Sequence, residues 1–105
     1  MIAAEKDMPD SNAVPIPLQG FQLEELNGET LLYRHSEKKL VYLNESAALV
    51  WKLCDGKRTA REITSLLVDV YPEARETIAA DVAAAIESLV REGVLRTSSQ
   101  PEEAV

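Results

Sequence analysis

The stretch LNESAALVWKLCDGKRTAREI, residues 43–63, holds a helix, a stop and the start of a second helix. Asn44 suits an N-cap, because its short side-chain oxygen can accept from a first-turn N–H that has no partner within the helix. Ala47, Val50, Trp51 and Cys54 then recur at i, i+3, i+4 and i+7, the spacing of one helical face. Asp55-Gly56 ends the run, since glycine takes the left-handed conformation beyond a helix at little steric cost. Thr59 and Glu62 form a Thr-x-x-Glu capping box, followed by a second apolar stripe of Ile63, Leu66, Leu67 and Val70. Pro72 places the stop near Tyr71. The segment is rich in structural signals and almost bare of reactive groups.

Downstream, Ile78, Val82, Ile86, Leu89 and Val90 stripe a third helix over 75–92, with Gly93 as its terminator and VLRT as a last short strand or an extended tail. Upstream the period changes to two. In FQLEELNGETLLYRH, Asn27-Gly28 joins two strand-like runs and sets Leu23 opposite Leu32, both turn residues being types that accept positive φ. A turn at SEKK leads to a third strand, LVYLN. Three strands followed by three helices predict an α+β fold, a three-stranded antiparallel meander on a winged helix-turn-helix-like core. Residues 1–17, with Pro9, Pro15 and Pro17 among polar residues, are expected to be a flexible arm, 18–96 the domain, and 97–105 a flexible acidic tail.

At 105 residues, 46% apolar and 28% charged, the chain has room for one small core. Its net charge of −7 disfavours nucleic acid, whose binding rests on clustered Lys and Arg. The one local basic cluster is Lys57, Arg58 and Arg61, and the start of the third helix carries Glu73, Glu76 and Asp81 against Arg75. A winged-helix DNA-binding regulator stays as the alternative. The single cysteine excludes an internal disulfide and suits a reducing compartment. No apolar run has membrane-spanning length, so a cytoplasmic protein without a membrane role is expected.

One Cys and one His, Cys54 and His35, with no CxxC or HExxH spacing, predict no dedicated metal site. The carboxylates Glu24-Glu25, Glu73, Glu76 and Glu102-Glu103 lie outside apolar runs, and the four glycines are too scattered to cradle a phosphate, so neither catalysis nor a cofactor is expected. What remains is a surface for a polypeptide. The third strand lies at the sheet edge, where unpaired N–H and C=O groups invite another strand. Beside it the alanine-rich run AADVAAAIESLV either opens a shallow groove or is only a good helix former. On this expectation, Val41→Pro removes an edge N–H and Ile86→Glu puts charge in the groove.

YLNESAALVWKLCDGKRTAREITSLL, a gap, and DVAAAIESLVREGVL closely resemble the PqqD family of pyrroloquinoline quinone biosynthesis proteins over about 21–95. The resemblance implies a non-catalytic peptide chaperone, a recognition element for ribosomally made and modified peptides. It implies that the leader of a precursor peptide adds as a strand along Lys39, Leu40, Val41, Tyr42 and Leu43. Helix contacts then fall at Asp81, Val82, Ala85, Ile86 and Leu89, and delivery is to a modifying enzyme, commonly a radical S-adenosylmethionine enzyme. Leu43, Asn44, Asp55 and Gly56 match the family pattern in structural roles. The chain departs from a dedicated pyrroloquinoline quinone protein in its proline-bearing arm and acidic tail, and a monomer or a homodimer is expected.

Overall fold

The computed structural model describes residues 12–98. Five strands and three helices follow in the order β1 (Val14–Pro17), β2 (Phe21–Leu26), β3 (Glu29–Arg34), β4 (Lys39–Leu43), α1 (Glu45–Leu53), α2 (Ala60–Val70), α3 (Arg75–Arg91) and β5 (Leu95–Ser98). The expected α+β class and the meander hold, with β2-β3-β4 antiparallel in that order and Leu23 opposite Leu32. Asn27 and Gly28 sit at φ 53° and 81°, as a two-residue hairpin turn requires.

The starts of α1 and α2 and the turn between them are set by side chains, and the end of α3 by its backbone. Asn44 Oδ1 accepts from Ala47 N at 2.8 Å and opens α1. The stop is made differently from the expected glycine cap. Cys54 is already extended, and Asp55 Oδ1 then accepts from both Lys57 N and Arg58 N at 2.8 Å, turning the chain while Gly56 takes positive φ. Arg58 Nη1 donates to the Leu53 carbonyl at 3.1 Å, satisfying one of the acceptors left open at the end of α1. Thr59 and Glu62 complete the capping box of α2. At the end of α3, Gly93 N donates to the Val90 carbonyl and Val94 N to that of Leu89, the paired bonds of a Schellman motif around a glycine at φ 83°.

The core is built from one face of the meander and the inner faces of the helices. Leu32, Val41 and Leu43 pack with Ala47, Val50, Ile63, Ile78, Val82, Ile86 and Leu89. The stripes are narrower than their spacing suggested: Leu66, Val70 and Val90 are exposed.

One boundary needs correction. Of the arm expected over 1–17, residues 1–11 lie outside the described part, but Val14–Pro17 is a strand, paired antiparallel with β5 in the register Val14↔Ser98 to Pro17↔Leu95. Thr97 and Ser98, assigned to the tail, belong to this same ribbon, and residues 99–105 lie outside the described part. Two prolines survive in a four-residue strand because of parity. Leu18 N donates to the Val94 carbonyl, so Val14, Ile16 and Leu18 turn their N–H groups towards β5, and Pro15 and Pro17 occupy the positions whose N–H would point away. Ala13 and Pro15 are buried, and the Ala13 carbonyl accepts from Ala60 N at the start of α2. A truncation meant to remove only the arm therefore has to stop short of Ala13.

Candidate functional site

Among the described residues, strand β4 pairs with β3 on one side and with no strand on the other. Which of its groups face the open side follows from the hairpin turn. A two-residue turn closes on a hydrogen-bonded pair, here Leu26–Glu29, and on β3 the direction of the bonds then alternates residue by residue. Glu29, Leu31 and Tyr33 bond towards β2, so Thr30, Leu32 and Arg34 bond towards their partners Leu43, Val41 and Lys39. The free N–H and C=O groups of the edge are therefore those of Leu40 and Tyr42. Val41→Pro, expected from the sequence to remove an edge N–H, instead breaks the bond to Leu32 inside the sheet.

The five strand candidates divide in the same alternation. Val41 and Leu43 point into the core, Lys39 is half-buried, and Leu40 and Tyr42 are 45% and 63% exposed on the opposite face. On that outer face they lie across from Tyr33 and Leu31, with exposed Leu26 further along β2.

The two ends of α3 come near the two ends of β4. At one end, a Cβ placed on Gly93 would lie 3.1 Å from Lys39 Nζ. At the other, Glu45, two residues past the strand, lines a cavity together with Asp81 and Val82. The lengths agree: twelve helical residues from 81 to 93 rise about 18 Å, and six extended steps from 39 to 45 cover about 20 Å. The helix candidates, however, are mostly core. Val82, Ala85, Ile86 and Leu89 are buried, Ile86 to 1% exposure, and only Asp81 is at the surface. Of the alanines, Ala79, Ala80 and Ala84 are exposed, Ala83 is half-buried and Ala85 is buried, the distribution of good helix formers on an ordinary surface helix.

Two concavities flank the Tyr42 end of the edge, and the sequence did not reveal them. The smaller, about 240 Å³, lies between the starts of α1 and α3 and the end of α2, with Leu49, Val50, Leu67, Ile78 and Val82 as walls and Glu45, Ser46, Tyr71 and Asp81 at its rim. The larger, about 950 Å³ and open, lies between the β2–β3 turn and α1, lined among others by Glu25, Glu29, Tyr42, Glu45 and Lys52. Leu49 sits off the predicted stripe and Tyr71 at the predicted stop of the second helix, so periodicity gave no reason to single them out.

Other chemistry finds little to work with. Burial, reinforced by the neighbouring Asp55 carboxylate, pushes the Cys54 thiol up to about 12, which keeps it protonated and unreactive at neutral pH. Asp55 is held below its ordinary value chiefly by the N–H groups of Arg58 and Lys57. Among the described residues no group of three or more His, Cys, Asp or Glu could hold a metal ion, and no helix is long and apolar enough to cross a membrane. Of the basic cluster near the α1–α2 turn, Arg58 is occupied by the Leu53 carbonyl and by Asp55 at 3.5 Å. Arg34 is likewise engaged, bonding Glu37 and the Gln19 carbonyl and lying 4.3 Å over the Phe21 ring.

No curated protein and no solved structure gives a significant match to the chain. The family model of coenzyme PQQ synthesis protein D (PqqD) matches residues 29–95, from the first residue of β3 to the first of β5. The match spans the open-edged strand, all three helices and the caps that join them, and by it the chain belongs to the PqqD family, accessory proteins of coenzyme PQQ-like biosynthesis from ribosomally made peptides.

Proposed function

We propose that the protein is a non-catalytic chaperone that takes the leader of a precursor peptide as a fourth strand on β4 and presents it to a modifying enzyme. The observation that carries this is the open edge of β4, with Leu40 and Tyr42 offering both their backbone groups and their side chains, in a chain of the PqqD family. Four backbone hydrogen bonds contribute about 2–6 kcal/mol net. Covering Tyr42 and Leu40 adds about 2 kcal/mol, and the total approaches the roughly 8 kcal/mol of a micromolar complex. A peptide residue opposite Leu40 or Tyr42 shares their outer face, whereas one opposite Val41 turns towards α3. Lys39, Val41 and Leu43 then hold the strand in place, and Val82, Ala85, Ile86 and Leu89 hold the helix behind it. The buried lone thiol suits a cytoplasmic setting, and a radical S-adenosylmethionine enzyme is the partner we infer from the family.

The test is an ¹⁵N NMR titration with short peptides encoded beside this protein, against a DNA duplex. Shifts centred on Leu40, Tyr42 and Asp81 with one peptide are the expected result. Shifts only with duplex, around Lys57 and Arg61, would replace peptide recognition by DNA binding.

A further inference from the structure

The cavity between α1, α2 and α3 opens beside Glu45, just beyond the Tyr42 end of β4. Glu45, on its rim, is three residues beyond Tyr42, about 10 Å along an extended chain. Its walls are apolar, and at about 240 Å³ it falls below the range of small-molecule sites, roughly 300–1,000 Å³. That is the scale of one or two side chains. Its only charged lining residues are Glu45 and Asp81, both exposed, and among the described residues neither carboxylate has an ion pair or hydrogen bond within the chain. The larger concavity next to it adds Glu25 and Glu29 against the single ammonium of Lys52. An apolar pit is thus ringed by unneutralised negative charge at the Tyr42 end of the edge, while the other end carries Lys39.

We propose that this cavity takes an apolar side chain of the bound peptide and that Glu45 and Asp81 hold a Lys or Arg immediately beside it. The protein then selects peptides by an apolar–basic pair next to the strand-forming segment. Charge complementarity also fixes direction, because the cationic end of the peptide lies at Glu45 and its other end at Lys39. This rests on peptide recognition at β4, and an apolar residue alone would leave both carboxylates without partners.

Random twelve-residue peptides displayed on phage, selected against the full chain and against the Glu45→Gln/Asp81→Asn double variant, test it. Both sites are exposed, and circular dichroism checks that the double variant stays folded. Peptides from the wild-type selection should be enriched in a Lys or Arg adjoining Leu, Ile, Phe or Met, and the double variant should select peptides without the basic residue. In fluorescence anisotropy, replacing that basic residue by alanine should weaken binding to the wild type about five- to tenfold and leave the double variant nearly unaffected. Enrichment without a basic residue, or equal losses in both proteins, overturns the inference and leaves strand addition intact. Selected peptides whose affinity is unchanged by Tyr42→Pro overturn strand addition itself, and a selection that yields no binder overturns both.

Discussion

Proline at two adjacent positions of β4 should have opposite effects. Val41 N–H bonds to Leu32, a fully buried residue, and Val41 itself is 6% exposed. Val41→Pro removes that bond and strands a carbonyl that no water can reach, a loss of about 3 kcal/mol or more. For a domain of this size that is a large part of a total of roughly 5–15 kcal/mol. Tyr42 N–H already faces solvent, and the residue before it is extended, as a following proline requires. Tyr42→Pro should therefore cost about 1 kcal/mol of stability. Its effect falls on the peptide: one donor is lost and the ring stands in the path of the incoming strand, which should weaken affinity tenfold or more. Tyr42→Ala, which keeps the N–H, separates the side-chain share. Trp51 is the only tryptophan and is half-buried, so urea unfolding followed by its fluorescence gives the stabilities, and anisotropy with a bound peptide gives the affinities. Equal destabilisation by the two prolines, or a milder effect at Val41, would refute the hydrogen-bond parity assigned to the edge.

Ile86→Glu places a charge at a site with 1% exposure and should unfold the domain, costing more than about 4 kcal/mol and abolishing the far-ultraviolet helix signal. Gly93→Ala forces a left-handed φ on a residue with a Cβ and presses it against Lys39 Nζ. A loss of about 1–2 kcal/mol in urea unfolding is expected. Cys54 should resist Ellman's reagent at pH 8 until the protein is denatured. Because its folded value, about 12, lies above the ordinary 9.0, stability from this group is complete below pH 9 and should decline as pH rises from 9 towards 12, when the unfolded thiol ionises first.

The elements whose signals are local were legible in the chain. Asn44, the Thr59–Glu62 box and Gly93 act within one turn of helix, and Asn27-Gly28 fixes a register that runs the length of two strands. The misplaced features depend on distant partners. Pro15 and Pro17 carry the composition of an unstructured arm, and only the alternation of Val14, Ile16 and Leu18 facing β5, some eighty residues away, makes a strand of them. Leu66 and Val70 lie at helical spacing but beyond the reach of the core. At the site, the existence of an open edge was foreseen, but its parity was not, although it follows from the Asn27-Gly28 turn. Of the helix contacts expected, Ala85, Ile86 and Leu89 are buried in the core while Asp81 and Val82 line the cavity, a division that an apolar stripe cannot show because it does not distinguish a groove wall from a packed interior. The cavity escaped notice since three helices, not one, make its walls.

The β1–β5 ribbon has one more effect. Pairing Val14 with Ser98 brings the two limits of the described domain side by side, about 5 Å apart between Cα atoms. A segment whose entry and exit nearly coincide can be spliced into a surface loop of a larger polypeptide without stretching either host or guest. The same proximity permits circular permutation, in which a short linker joins the old ends and new ones open elsewhere.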